Sequence, residues 1–384
     1  MLGVLRIPIK KLKPGMIVSQ SIYNKNGGSY LIKGQPLNDQ YIKQLGRIGI
    51  PTVTVTSSDP NLKLPPPEDV VQEKTRVTAI KKVFDAFKSV EETGRLDAAA
   101  MQDVSDQIIM DLFKRKENLV QLTDIRLHDT YTFAHSVNVA ILSAMLGMLC
   151  HYTKEDLSIL TLGALLHDLG KIKVPEEILT KTTRLDNEEF DIIRHHPQEG
   201  ANRIREMGST LPSSSILIAI ASQHHEHMDG KGYPNQLEGN QIHRFARIVA
   251  IADVYDALTS ERPYKKAYTP SIAYNIMVNV NKGQFDRDLI GLFFNNVAIY
   301  PVGTVLKTTK GFGVVTHCEF GHTEKPRVCI FANHEGKMLP EPIRLNLAEV
   351  EGRPVEMVVT GIELLHFIHE LSVDPSIYLV EDGQ

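Results

Sequence analysis

The residues best suited to chemistry are histidines and aspartates set in otherwise apolar stretches. The segment ASQHHEHMDGKGYPNQ (221–236) brings three histidines, two acidic residues and a Gly-x-Gly turn into sixteen positions. Imidazole is only partly charged at neutral pH and is the commonest protein ligand for transition metals. His135 stands on a helical stripe with Val139, Leu142 and Leu146, and His167-Asp168 closes an apolar run. A carboxylate buried there without a cation is costly, so a metal is one answer and a surface capping pair the other. His196, the His224-His225 pair and Asp253 complete the set; Asp253 lies in the apolar run FARIVAIADVYDALTS.

A single histidine on an apolar face is usually a hydrogen-bonded core residue. Five histidines and two aspartates together are harder to absorb that way. One zinc takes three or four ligands. Seven candidates suggest two metal ions sharing a bridging carboxylate, the arrangement used for in-line attack on phosphate esters. Carboxylate and imidazole without thiolate favour Fe or Mn over Zn, Co or Ni.

The elements that must position these residues are mainly helices. From about 119 to 299 the pattern is helical, with Thr153-x-x-Asp156 as a capping signal, a stop at Gly170, and Asp186 and Glu189 in capping-box spacing. Pro197 disfavours helical geometry at His196 and can itself begin the next helix. Residues 1–66 read as a small β-rich domain in which DQYIKQLGRIGI (39–50) has helical spacing, and LKLPPPEDV (62–70) as a Pro-rich linker. Residues 67–118 continue as linker and two helices, near 71–92 and 97–116, broken at Thr93-Gly94. After Tyr300-Pro301, GTVLKTT, FGVVTHCEF, RVCIFAN and PVEMVVTGI read as short strands, a β-rich extension over 300–384. The expected fold class is mainly α.

The bulk numbers narrow the partners. With 42% hydrophobic and 23% charged residues among 384, and a net charge of -4, no global field advertises a nucleic-acid polymer or a membrane surface. Cys150, Cys318 and Cys329 are sparse and form no CxxC pair, which argues for a reducing compartment and against a cysteine-based zinc site. The N-terminus lacks a signal-peptide h-region, and the longest apolar run (137–150) is too short to cross a bilayer. A soluble cytoplasmic protein is expected.

The order His135, His167-Asp168, Asp253 resembles the H…HD…D pattern of HD-domain metallophosphohydrolases. HDLGK (167–171), HHP (195–197), HHEHMDGKGYP (224–234) and ADVYDALTSERPYKKA (252–267) are similar to the HD-GYP subfamily over about 130 residues. Those bacterial enzymes hydrolyse cyclic di-GMP at a di- or trinuclear metal centre. The resemblance implies that His135, His167, Asp168 and Asp253 hold one metal and His196, His224 and His225 the other, with Asp168 bridging. It further implies a nucleophile drawn from water whose pKa two cations lower. Lys171 would contact a non-bridging phosphate oxygen, or else be a surface lysine at a helix end. Arg262 and Lys265 fall where the family grips phosphate, and Lys266 reads as a solvated charge. Gly232, Tyr233 and Pro234 would form a substrate-side loop, His227 remaining peripheral. Trinuclear members carry a glutamate one turn before the first histidine. Here that position is Tyr131, and Asp129 lies about 200° around an ideal helix from it. A binuclear site is therefore expected.

The leading expectation is a phosphodiesterase opening cyclic di-GMP to linear pGpG, with the product either pGpG or GMP. Cyclic GMP-AMP is the alternative within the same chemistry. A nucleotide-sensing or adaptor module that has kept the fold belongs to another class, and a nucleoside mono- or triphosphate hydrolase is disfavoured by the second histidine cluster. Homodimerisation and contact with diguanylate cyclases are the partner expectations.

Overall fold

A computed structural model describes residues 4–9, 12–19, 21–23, 29–47, 52–56, 70–114, 131–179, 181, 183, 185–260, 267–319 and 321–359. The N-terminal unit has strands β1 (Val4–Pro8), β2 (Ile17–Val18), β3 (Ile22–Tyr23) and β4 (Ser29–Leu31), helix α1 (Asp39–Arg47) and strand β5 (Thr52–Thr56). β5 is the middle strand of an antiparallel sheet ordered β1-β5-β2, with Val4 opposite Thr56. Val53 and Val55, two apart and so on one face of β5, meet Val18, Leu31 and Leu45 in a small core. α1 covers Asp39–Arg47 of the stretch with helical spacing, and Ile48 lies outside the described residues.

The helices α2 (Glu73–Thr93) and α3 (Ala98–Lys114) fall where the sequence placed them. Gly94 breaks them in the left-handed region at φ 70°, its N–H returning to Val90 O. The Pro-rich stretch before them and residues 115–130, Asp129 included, lie outside the described residues.

The large helical core joins α2 and α3 to α4 (Tyr131–Leu149), α5 (Lys154–Leu166), α8 (His196–Met207), α9 (Ser214–Gln223), α10 (Arg244–Thr259), α11 (Pro270–Tyr274) and α12 (Arg287–Asn296), while α6 (Glu176–Leu179) and α7 (Asn187–Arg194) bury no residue in it. α4 is apolar on every side, with Val137, Ile141, Met145 and Leu146 all inaccessible, and such a helix belongs at the centre of a bundle. Thr153 caps α5 by accepting from Asp156 N, and Asp186 and Glu189 form the anticipated reciprocal box at α7. Two local readings are corrected. α5 stops at Leu166, four residues before Gly170, and residues Leu169–Lys173 form a 3-10 turn. His196 is itself the first helical residue of α8, with Pro197 beside it, where its missing N–H costs nothing.

The C-terminal sheet is antiparallel, ordered β10-β6-β7-β8-β9, from β6 (Val305–Thr308), β7 (Gly311–His317), β8 (Arg327–Ala332), β9 (Met338–Asn346) and β10 (Val355–Val358). β9 was not foreseen, because Pro340 and Pro342 read against a strand. It is an edge strand, where missing N–H groups are tolerated. The chain is thus mainly helical with β regions at both sides. Among the described residues no helix is long and apolar enough to cross a membrane.

Candidate metal centre

The seven candidate ligands come from five helices and converge on one buried place. His135 (α4), His167, Asp168, His196, His224 and Asp253 (α10) are 7% exposed or less; His225 is half-buried. Three groups have ligand atoms mutually within 4.8 Å: His135/His167/Asp253, His196/His224/His225, and His167/Asp168/His224. Asp168 lies between the first two. Its Oδ2 is 3.8 Å from His135 Nε2 and 3.4 Å from His167 Nε2, and its Oδ1 is 3.3 Å from His196 Nε2.

Three of the imidazoles are oriented in the same way. Nδ1 of His167, His196 and His224 meets the carbonyl three residues earlier: Ala164 at 2.7 Å, Ile193 at 2.6 Å and Ala221 at 2.9 Å. A carbonyl can only accept, so each Nδ1 carries the proton and each Nε2 presents a lone pair to the centre. Burial pushes the His167 pKa down. Burial, reinforced by His225, His167 and His196, pushes that of His224 well down. Burial also brings His225 to about 3. These rings are neutral at pH 7, the form that binds metal. Burial opposes ionisation of Asp168 and Asp253. For Asp168 the neighbouring His167 ring, the Lys171 ammonium and the His196 ring outweigh it, and for Asp253 the hydrogen bond from His135 does. Both carboxyls sit well below their usual range.

Two atoms test whether cations fit. His167 Nε2 and Asp168 Oδ1 are buried with no hydrogen-bond partner among the described residues, a costly state for a lone pair and a carboxylate oxygen. Both face the cluster. The donor set, neutral imidazoles and ionised carboxylates without sulfur, suits a divalent transition metal.

Gly170 explains how two segments approach closely enough. A Cβ on it would meet His196 O at 2.0 Å and Gly200 N at 2.5 Å, so only a glycine lets the 3-10 turn bearing Asp168 lie against α8. Lys171, in that turn, places Nζ 2.6 Å from Asp168 Oδ2 and is 23% exposed.

The DGKGYP loop walls the site. Tyr233 stacks on His225 with ring centroids 4.8 Å apart, and the Arg194 guanidinium lies 5.1 Å from the Tyr233 ring centre. Gly232 is buried, and a Cβ there would meet His227 N at 2.4 Å; Gly230 takes φ 73°. Pro234 follows Tyr233 through a cis peptide. His227 is outside the three groups, 3.9 Å from Asp229. Arg262, Lys265 and Lys266 lie outside the described residues.

Two functional residues escaped the sequence reading. Buried Glu226 accepts from Asn235 N at 2.7 Å and Leu237 N at 2.9 Å, pinning the loop's exit. Asp256 Oδ2 is 2.6 Å from His135 Nδ1. Burial alone would lower the His135 pKa, but hydrogen bonds to Asp253 and Asp256 outweigh it and hold it at about 9. The argument that singled out Asp253 in an apolar helix applies equally to Asp256, one turn later.

A helical bundle that gathers imidazoles and carboxylates at the ends of its helices is the architecture of the HD domain, and residues 109–289 match the HD-domain family model. A cyclic di-GMP phosphodiesterase of Pseudomonas aeruginosa is 30% identical over 368 residues, covering 88% of each chain. A cyclic di-GMP phosphodiesterase response regulator of Xanthomonas campestris is 36% identical, covering 42% of each chain. A 3'3'-cGAMP-specific phosphodiesterase of Vibrio cholerae is 35% identical, covering 44% of this chain and 39% of its own. The chain belongs to the HD-GYP branch of the HD-domain family.

Proposed function

We infer that the protein is a phosphodiesterase that hydrolyses a cyclic dinucleotide, and propose cyclic di-GMP as substrate and linear pGpG, with or without GMP, as product. The observation that carries the reading is Asp168 set between two histidine-rich groups, with two buried lone pairs aimed at the same space. The similarity to a cyclic di-GMP phosphodiesterase over 88% of both chains supports the substrate. Relatives named for 3'3'-cGAMP make cyclic GMP-AMP the alternative.

In this reading His135, His167, Asp168 and Asp253 hold one divalent ion and Asp168, His196, His224 and His225 the other, Fe or Mn by donor chemistry. Bound there, the ions supply Lewis acidity and acidify water for attack on phosphorus. Asp168, ionised at neutral pH, offers one oxygen to each side. Lys171 uses one ammonium proton on Asp168 Oδ2, leaving two donors for a non-bridging oxygen of the scissile phosphate, where negative charge grows in the transition state. Arg262 and Lys265 fall where the family grips phosphate, and Gly232, Tyr233 and Pro234 line the substrate's path. With Tyr131 at the glutamate position of trinuclear relatives, the site is binuclear. The reading extends to a cytoplasmic enzyme, a homodimer, and contact of the loop with diguanylate cyclases.

The test is product analysis by chromatography. Oxygen-free protein supplied with Fe(II) or Mn(II) is incubated with cyclic di-GMP and, in parallel, with cyclic GMP-AMP. Linear dinucleotide or mononucleotide from either establishes the activity and the preferred substrate. No product from either, in protein shown to carry metal, overturns the catalytic reading in favour of nucleotide sensing.

A further inference from the structure

The His135 side of the site is tied by a buried polar chain to a helix that precedes the stretch matching the HD domain. Arg76, on α2, is 1% exposed and one of the largest fully buried side chains. Its Nη1 donates to Asn138 Oδ1 at 2.5 Å; Asn138 Nδ2 donates to Asp256 Oδ1 at 2.9 Å; Asp256 Oδ2 meets His135 Nδ1 at 2.6 Å. The HD-domain match begins at residue 109, so Arg76 stands outside it.

The direction of every bond in this chain is forced. A guanidinium has only donors, so the Asn138 side chain must turn its oxygen to Arg76 and its NH2 to Asp256. Asn138 is three residues beyond His135 on α4, and Asp256 three beyond Asp253 on α10. The two helices therefore face each other through paired rungs, His135–Asp253 at 3.0 Å and Asn138–Asp256 at 2.9 Å. Ser260 Oγ adds a second donor to Asp256 Oδ1 at 2.9 Å. Held so, Asp256 fixes the His135 ring with Nδ1 engaged and Nε2 aimed at Asp253. α2 is itself pinned where the chain starts: Gln72 N and Thr75 Oγ1 both donate to Asp111 Oδ2 on α3, at 3.1 and 2.7 Å.

We propose that Arg76 is a positioning residue for the metal site, acting through Asn138 and Asp256 on the His135 ring, so that the placement of α2 sets the affinity of the ion on that side. The proposal rests on the reading of His135 as a ligand. Outer carboxylates and amides of this kind typically change metal affinity about 10–100-fold. The His196/His224/His225 group has no link in this chain and keeps its affinity.

The experiment is titration of metal-free full-length protein with Mn(II), read by calorimetry, with the unfolding midpoint of the metal-free form measured alongside. His135→Ala is the control on the reading and should bind one ion fewer. Arg76→Gln should bind both ions, one of them about 10–100-fold more weakly. Arg76→Lys keeps a donor and the charge and should recover part of that loss, and serves as the test variant should Arg76→Gln not fold. Asp256→Asn should weaken the same ion, and adding Arg76→Gln to it should weaken that ion little further, because both act on one ring. Wild-type affinity for both ions in Arg76→Gln, or full additivity with Asp256→Asn, overturns the proposal while leaving the metal site intact. Two ions retained by His135→Ala overturns the ligand reading and the proposal with it.

Discussion

Gly170→Ala adds one methyl group between the 3-10 turn and α8, and that alone should remove a metal. The new Cβ would stand 2.0 Å from His196 O, 2.5 Å from Gly200 N and 2.9 Å from the His196 carbonyl carbon. All three are backbone atoms, so no side-chain rotation relieves the overlap. The 3-10 turn and α8 must separate by about 1 Å before the contact becomes tolerable. Metal–ligand distances hold to within about 0.2 Å, so that displacement takes His196 out of reach of an ion shared with Asp168. Overpacking of this kind costs about 1–3 kcal/mol or more. In a domain of this size that lowers the midpoint by about 2–12 °C. The assay pairs elemental analysis of purified protein with thermal unfolding of the metal-free form. One ion per chain instead of two and a lowered midpoint are expected. Gly291→Ala is the control. Gly291 is exposed on α12 with nothing within 4 Å of a new Cβ, so the change should stabilise by about 0.5–1 kcal/mol. A Gly170→Ala protein with wild-type metal content and an unchanged midpoint would refute the reasoning.

The remaining predictions concern charge. Asp168→Asn keeps the shape but removes the shared charge; metal content should fall below one ion per chain and turnover by at least about 100-fold, and two retained ions would contradict the bridging role. Lys171→Met should leave metal content unchanged and lower kcat by about 100–1,000-fold, measured by single-turnover kinetics. Glu226→Gln weakens the hold on Asn235 N and Leu237 N and should raise KM by about 10-fold with metal content intact, a steady-state measurement. Metal-free protein should be most stable near pH 6.5. His135, raised from 6.5 to about 9 in the fold, contributes stability that is full below pH 6.5 and lost as pH rises through 9. His225, lowered to about 3, contributes stability that is present above pH 6.5 and lost as pH falls toward 3. The first limb is worth up to about 3 kcal/mol and the second up to about 5 kcal/mol, and urea midpoints flat between pH 6.5 and 9 would rule out the first.

The cluster of candidate ligands was legible because polar residues that no helix core would accept recur in apolar runs, and because their order along the chain matches a family pattern. The capping residues Thr153, Asp186 and Glu189 were legible for the same local reason: three-residue spacing is enough. What stayed hidden depends on contacts between distant segments. Asp256 reaches a histidine 121 residues away, and Arg76 an asparagine 62 away, distances at which no periodicity speaks. Gly170 read as a helix stop, whereas its real constraint is the backbone of residues 196 and 200. β9 was masked by its prolines, whose acceptability depends on an edge position that only the sheet order reveals.

Three of the imidazoles occupy the carbonyl ends of α5, α7 and α9, and those ends meet at one point. The peptide dipoles of a helix leave about half a negative charge at its carbonyl end. Three such ends bring roughly one and a half negative charges, of which the amino end of α8 at His196 offsets about half a charge, leaving roughly one without any ionised side chain. The backbone therefore attracts cations to a site whose side chains are mostly neutral. In metal-free protein the same three ends repel one another, so loss of metal should loosen the last turns of α5, α7 and α9 together, well before the bundle opens.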